Sequence, residues 1–419
     1  MTIEEIYKLF SKSYLADTDT RKIRKGSMFF ALKGDNFNGN KFTEVALKNG
    51  ASVAIIDEKE FEIKNQTILV ENVLETLQKL ANYHRKQLNI PIISLTGSNG
   101  KTTTKELINT VLTKKFNTSA TKGNLNNHIG VPLTLLSMTQ STEVGIVEMG
   151  ANHLNEIDLL CSIAEPNYGY ITNFGKAHLE GFGGIEGVIK GKSELYNFLR
   201  NSKGKAFINS DDEIQKKQSK GIETIEFNSN EINFIEATPF VKVNHKNETI
   251  KSQLIGNYNY NNIAAAICIG NYFGVPIKEV KEAIENYIPS NNRSQIIDKG
   301  TNKIILDAYN ANPSSMKVAL ENFAQLKAAN KVVFLGDMFE LGETSNLEHQ
   351  EIAELATSFN FNKVILIGKA FSTTSIKNAF TYNTFESFKN SIDFKSISNS
   401  SVLIKGSRGM ALERILDLF

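Results

Sequence analysis

Short apolar runs alternate with helical patterns along almost the whole chain, and this alternation narrows the fold more than any other feature. "ASVAIID", "IPIISLTG", "VGIVEMG", "YGYITNFG", "KAFINS", "NKIILDAYN", "KVVFLGDM", "NKVILIGK" and "SVLIKGSRG" read as strands. Several are too uniformly apolar to be half-exposed, which suits strands buried on both faces. Helical patterns lie between them, at Thr102–Lys114, Ile185–Leu199 and Ser314–Ala328. The alternation predicts an α/β protein with mainly parallel sheets.

A chain of 419 residues predicts two or three domains. Three blocks emerge: a small N-terminal α/β domain over 1–85, a central phosphate-loop sheet with helices over 86–288, and a C-terminal Rossmann-like α/β domain over 289–419. The polar stretch 228–248 predicts small strands or a hairpin, and "PSNNRSQ" marks the second junction. No internal repeat is found, and the Ser/Asn-rich "KSISNSS" reads as a surface loop because a strand follows it.

Charge decides some partners. With 47 basic and 45 acidic residues the net charge is +2, which gives no support to nucleic acid or an anionic membrane. Cys161 and Cys268 sit among apolar neighbours and read as buried free thiols of a reducing compartment. The N-terminus lacks the basic start and apolar core of a signal peptide. No apolar run approaches the ~20 residues of a membrane span. A soluble, cytoplasmic protein without membrane insertion is expected.

"ISLTGSNGKTTTKELINTVL" carries the chemistry. It reads as strand, tight loop and helix start, the context a phosphate loop needs. Gly97 and Gly100 allow close approach of the backbone, so N–H groups from Gly97, Ser98, Asn99, Gly100 and Thr103 can face phosphate oxygens. Lys101 supplies a point charge to the β/γ-phosphates, and Thr102 offers a hydroxyl to Mg²⁺. The common phosphate-loop pattern G-x-x-x-x-G-K-[ST] would have glycine where Leu95 stands. A chance G-K-T at a helix start is the competing reading. Glu148 ends an apolar strand, the place where ligands of open α/β sheets collect, and is a candidate metal ligand. Alone it would read as an exposed carboxylate. Asn173 and His178 follow the next strand. Lys190 and Lys192 share a helix and read, on composition alone, as a solvated face.

"TGSNGKTT", "NLNNHIGVPLTLL", "EMGANHLNEI", "NFGKAHLEGF", "KGKSELY", "GNYNYNNIAAA", "DAYNANPSSM" and "KGSRGMALE" together resemble the Mur ligase family, ATP-dependent amide-bond ligases of bacterial wall-precursor synthesis. The family's loop has the form T-G-x-x-G-K-[ST], so Leu95 is ordinary there. The resemblance runs in order through essentially the whole chain. "RKIRKGSMFFALKGDNFNGNKF" resembles the uridine-nucleotide domain shared by the branches that add the third residue and the terminal dipeptide. "DAYNANPSSM" and "FLGDMFELGE" resemble the dipeptide-adding branch, and the D-[ND]-P-R of the third-residue branch is absent.

The resemblance implies the substrates UDP-MurNAc-tripeptide, D-Ala-D-Ala and ATP, with two Mg²⁺ ions and a carbamylated lysine, in a monomer. It places the carbamate on Lys192, with His178 beside a second Mg²⁺. It places Asn259 at the adenine and Arg293, Asp307 and Tyr309 at the ATP-facing positions of the third domain. Thr20 and Arg21 fall at the UDP-substrate positions, with Thr20 replacing the family's serine. Asn126, Asn127 and His128 fall on a loop near substrate or phosphates. Lys405, Ser407 and Arg408 form a candidate anion site, with a capped helix and surface arginine as the competing reading. The chain is short for this branch, so trimmed loops are expected.

Other readings stay open on the sequence. One is a sister ligase adding the third residue, or a folylpolyglutamate synthase-like ligase. Another is a GTPase-type switch, against which the missing N-K-x-D counts. A third is a binding module without catalysis, against which intact Lys101, Glu148, His178 and Lys192 count. No G-x-G-x-x-G follows a strand, which opposes an NAD enzyme.

Overall fold

In the central sheet, neighbouring residues of one strand belong to different cores. Ile92, Val147, Ala206 and Ile208 enter one, and Ile93, Ile146 and Phe207 enter the other. This is the two-residue period of a sheet covered on both faces, and it explains why these strands read as unbroken apolar runs. The computed structural model describes residues 1–290 and 292–419; Asn291, within the predicted second junction, lies outside the described residues.

The central sheet has six strands, in the order Glu223–Phe227, Lys205–Asn209, Tyr168–Ile171, Ile92–Thr96, Val144–Glu148, Thr118–Ala120. All its pairings are parallel. Helices Lys101–Leu112 and Asn259–Tyr272 supply one core. Helices Gly130–Leu136, Glu156–Ala164 and Ile185–Ser202 supply the other, which continues into the N-terminal domain through helix Val73–Leu88. Asn72 caps that helix by accepting the Glu75 N–H at 3.0 Å. Its buried Arg85 donates to the carbonyls of Ala164 and Glu165. The N-terminal domain is thereby fastened to the central one.

The N-terminal sheet is parallel, with the order Ala16–Asp17, Met28–Phe30, Val53–Ile56, Thr67–Leu69. The C-terminal sheet has six strands: Gln295–Lys299, Asn302–Asp307, Ser401–Lys405, Lys331–Gly336, Lys363–Ile367, Phe380–Tyr382. Only its first pair is antiparallel. The expected α/β class with mainly parallel sheets is the one observed. The polar region near 228–248 forms a three-stranded antiparallel sheet, Asn233–Ala237, Phe240–His245 and Glu248–Ile255, which extends past the expected hairpin.

Both cysteines are buried and free. Among the described residues no helix is long and apolar enough to cross a membrane.

Candidate active site

The carboxyl ends of the central strands open on a cavity of about 900 Å³, which the C-terminal domain completes on the other side. The loop after Ile92–Thr96 forms its floor. Gly97 has φ +141°, and a Cβ there would lie 2.0 Å from Thr172 Oγ1. Gly100 has φ +80° and starts helix Lys101–Leu112 with no side chain capping it. Unpaired N–H groups and the positive end of the helix dipole therefore face the cavity.

The residues after strand Tyr168–Ile171 pre-shape the loop, and they take up two of the N–H groups expected to face phosphate, that of Ser98, which donates to Asn173 C=O at 3.1 Å, and that of Asn99. Asn99 N–H donates to Asn173 Oδ1 at 3.1 Å, and Asn99 C=O accepts from Thr172 Oγ1 at 2.6 Å and Asn173 Nδ2 at 2.9 Å. Ser98 Oγ donates to Gly175 C=O at 2.8 Å. Lys101 Nζ donates to Gly97 C=O at 2.7 Å. Burial lowers the Lys101 pKa from the ordinary lysine value, and the Glu148 charge opposes that shift.

Glu148 is 1 % exposed, at the tip of Val144–Glu148. Its N–H donates to Thr121 Oγ1 at 2.9 Å, and its Oε1 accepts from Asn126 Nδ2 at 2.8 Å. Its Oε2 is buried with no hydrogen-bond partner among the described residues. An orphaned carboxylate oxygen in a cavity that Thr102 also lines fits a divalent cation. Among the described residues no group of three or more His, Cys, Asp or Glu gathers as a metal cage. The donor set therefore suits Mg²⁺, which takes one or two carboxylates and completes its shell from phosphate oxygens and water.

Asn127 and His128 line the cavity with Asn126. Asn127 Oδ1 accepts the Gly130 N–H at 2.9 Å, which starts the next helix. His178 lines the cavity at φ +53° and hydrogen-bonds through Nδ1 to Glu340 of the C-terminal domain. Lys192 and Lys190 part company in the structure. Lys190 is exposed, whereas Lys192 is fully buried, donating to Ala151 C=O at 3.0 Å with its Nζ 4.9 Å from the Phe182 ring centre. Burial, and then the Lys101 charge, push the Lys192 pKa far below the ordinary lysine value.

From the C-terminal domain, the Arg293 guanidinium stacks 3.6 Å from the Tyr309 ring centre, and its Nε is buried without a partner among the described residues. Asp307 accepts from Lys405 Nζ at 2.6 Å and from Ser294 N–H at 3.1 Å. Asn259 is buried, donating to Ile255 C=O at 2.8 Å and accepting from Asn262 Nδ2 at 2.7 Å. These residues, Ser294 and Asn262 included, line the cavity.

Other sequence candidates lie elsewhere. Of the suggested anion site, Lys405 lines the cavity, while Ser407 and Arg408 do not. Ser407 Oγ accepts the Phe339 N–H at 3.0 Å, and exposed Arg408 pairs with Glu413 at 3.3 Å. Thr20 and Arg21 sit on the N-terminal domain outside the cavity, with Arg21 paired to Asp19 at 2.8 Å.

Sequence reasoning singled out neither Asp212 nor Asn312, and both line the cavity. Asn312 caps helix Pro313–Gln325 and donates to Asn99 Oδ1 at 2.8 Å, joining the C-terminal domain to the phosphate loop. An Asn immediately before Pro at a helix start was its available signal. Asp212 announces itself as an N-cap after a strand, a role that does not by itself mark a site.

Three family models match in chain order. The Mur ligase family catalytic domain matches residues 15–85, the Mur ligase middle domain 95–270, and the Mur ligase glutamate ligase domain 292–408. The UDP-N-acetylmuramoyl-tripeptide–D-alanyl-D-alanine ligase of Bacillus subtilis (strain 168) is 33% identical, over 95% of this chain and 91% of that relative. The crystal structure of MurF from Acinetobacter baumannii superposes with a TM-score of 0.85 at 29% identity, covering 96% of this chain and 92% of that one. MurF ligase from Thermotoga maritima in complex with ADP gives 0.84 at 26% identity, covering 97% and 96%. A phosphate loop, an orphaned carboxylate and an arginine–tyrosine stack around one cleft, in a chain matched along its length in this way, place it in the Mur ligase family, within the branch of these D-alanyl-D-alanine-adding relatives.

Proposed function

We infer that the chain is an ATP-dependent ligase that joins D-alanyl-D-alanine to UDP-MurNAc-tripeptide, giving the pentapeptide precursor of peptidoglycan, with ADP and phosphate as products. The observation that carries this reading is the cavity in which Lys101, Thr102 and Glu148 face Arg293, Asp307 and Tyr309. The relatives favour this reading over the sister ligases, because a UDP-N-acetylmuramoyl-tripeptide–D-alanyl-D-alanine ligase is 33% identical over 95% of the chain.

A free carboxylate does not form an amide at useful rates, because oxide is a poor leaving group. The tripeptide carboxylate attacks the γ-phosphorus of ATP, the bond to the β-bridging oxygen breaks, and ADP leaves. The amine of D-Ala-D-Ala then attacks the acyl carbon, loses a proton, and expels phosphate. Lys101 and the helix-start N–H groups hold the phosphates and offset the charge that builds as two anions meet. Arg293 and Tyr309 offer a flat cationic surface to the nucleotide, and Asn259 lies at the base end. Mg²⁺, held by Thr102 and Glu148 with His178 and Lys192 beside a second ion, would supply further charge neutralisation on the transferring phosphoryl group. The central and C-terminal domains close around this chemistry and exclude water from it.

The UDP-sugar end belongs to the N-terminal domain, where Thr20 and Arg21 stand. Dependence on ATP supports a cytoplasmic site of action.

Mass analysis of the product formed from ATP, Mg²⁺, UDP-MurNAc-tripeptide and separate amines tests this reading. D-Ala-D-Ala should be joined on the order of a hundredfold better than D-Ala, L-Lys or diaminopimelate. A site built for the dipeptide's amide and carboxylate leaves polar groups unpaired with a shorter amine, at roughly 1–3 kcal/mol each. Faster reaction of a UDP-linked dipeptide with a diamino acid would overturn it.

Glu148→Gln should move the Mg²⁺ titration of turnover to higher concentration, because the amide cannot offer the charge that Oε2 carries. A titration overlaying the wild type would remove Glu148 from the metal.

A further inference from the structure

The motif "FLGDMFELGE" builds a rigid arm that crosses from the C-terminal domain to His178. Strand Lys331–Gly336 is followed by Asp337, whose buried carboxylate accepts the N–H groups of Ala370 at 3.0 Å and Phe371 at 2.9 Å. The next two backbone N–H groups are also fixed. Met338 N–H donates to the buried His349 Nε2 at 3.0 Å, and Phe339 N–H donates to Ser407 Oγ at 3.0 Å. Three successive residues are thus held by the C-terminal domain's own core.

Glu340 follows at φ +61°, a left-handed conformation uncommon for a non-glycine residue. From there its carboxylate reaches His178 Nδ1 in the central domain, and its carbonyl accepts the Glu180 N–H at 3.5 Å. His178 is itself left-handed, at φ +53°. Two residues in sparsely populated conformations therefore meet across a domain junction, a pattern that surrounding structure sustains at functional sites.

We propose that Glu340 is a positioning residue for the ligase reaction: delivered by the C-terminal domain, its carboxylate fixes the tautomer and ring orientation of His178. An ionised carboxylate only accepts, so the hydrogen of this bond sits on Nδ1, and in the neutral imidazole that tautomer leaves the lone pair on Nε2. An imidazole that turns one nitrogen to metal or phosphate is commonly oriented through the other in this way. The arm also makes the orientation conditional, because Glu340 is present only when the two domains are docked. His178 would gain its working geometry at closure. The inference rests on the reading that His178 acts at the metal side of the cavity.

The test uses the full chain with Glu340→Ala, Glu340→Gln, His178→Ala and the double variant. Glu340→Ala should lower kcat by about 10- to 100-fold, the usual cost of losing such an orienting partner, with little change in KM for ATP. Glu340→Gln, whose amide oxygen can still accept from Nδ1, should recover part of the loss. In the His178→Ala background, removing Glu340 should cost nothing more. Imidazole ¹⁵N NMR of the protein with ADP, Mg²⁺ and UDP-MurNAc-tripeptide gives a readout apart from turnover. The wild type should show a protonated Nδ1 at His178, and Glu340→Ala a mixture of tautomers. Additive losses in the double variant, or an unchanged ¹⁵N spectrum in Glu340→Ala, would overturn the inference while leaving the His178 reading standing. A fully active His178→Ala would remove that reading, and the inference with it.

Discussion

Lys101→Ala is expected to lower phosphate release on the order of a thousandfold, about 4 kcal/mol of barrier, while leaving the protein folded. The lysine stands at the first turn of the phosphate-loop helix, and among the described residues its Nζ reaches back only to the carbonyls of Gly97 at 2.7 Å and Ser98 at 3.4 Å. Those carbonyls belong to a loop already held by Thr172, Asn173 and Gly175. Loss of the amine therefore removes charge without removing the loop's supports. Burial also works against the ammonium, since it lowers the Lys101 pKa. A group whose charged form is disfavoured by its surroundings is not placed there for stability. Thermal unfolding should separate the two roles: the midpoint should stay near that of the wild type while turnover collapses. Near-normal turnover in the folded variant would sink the assignment of this loop to phosphoryl transfer.

The layout was legible where one physical signal spans many residues. The unbroken apolar runs came from strands covered on both faces, and Ile92–Thr96 is buried throughout. The phosphate loop was legible because strand, glycine pair, lysine and helix start are contiguous. Short edge strands were not legible. Thr118–Ala120 and Phe380–Tyr382 carry no fully buried residue, so no period could be counted in them. In the antiparallel region, alternation is clear in Phe240–His245 and from Ile250 to Leu254, while Asn233–Ala237 shows none.

Residues that act across domains were the least legible. Asn312 reads as a helix cap and is one, yet it also reaches Asn99, over two hundred positions away in the chain. Glu340 reads as one more acidic loop residue, and only the assembled junction shows it facing His178. Lys190 and Lys192 show the same limit on a smaller scale. Two residues apart on one helix, they are indistinguishable by composition. The helix turns one outward and the other inward against Phe182.

That difference gives a large expected effect: Lys192→Ala should lose on the order of a hundredfold or more in turnover, and Lys190→Ala should stay near the wild type. An ammonium has three hydrogens to place, and among the described residues Lys192 has a single carbonyl acceptor, that of Ala151 at 3.0 Å, with an aromatic ring beside it. A fully buried cation so poorly paired is costly, and the repulsion from Lys101 adds to the cost. The neutral amine is the form that reacts with CO₂, gaining a carbon–nitrogen bond and releasing a proton. The product is an anion, which reverses the sign of the charge at this position. Its oxygens would then stand where the repulsion from Lys101 becomes attraction, and where they could help hold a divalent ion. Protein equilibrated with ¹³C-bicarbonate should show one carbamate carbon by NMR, retained in Lys190→Ala and absent from Lys192→Ala. Turnover should fall when bicarbonate and CO₂ are stripped from the buffer and return when they are restored. A carbamate signal that survives in Lys192→Ala, or equal losses in the two alanine variants, would take the modification away from Lys192.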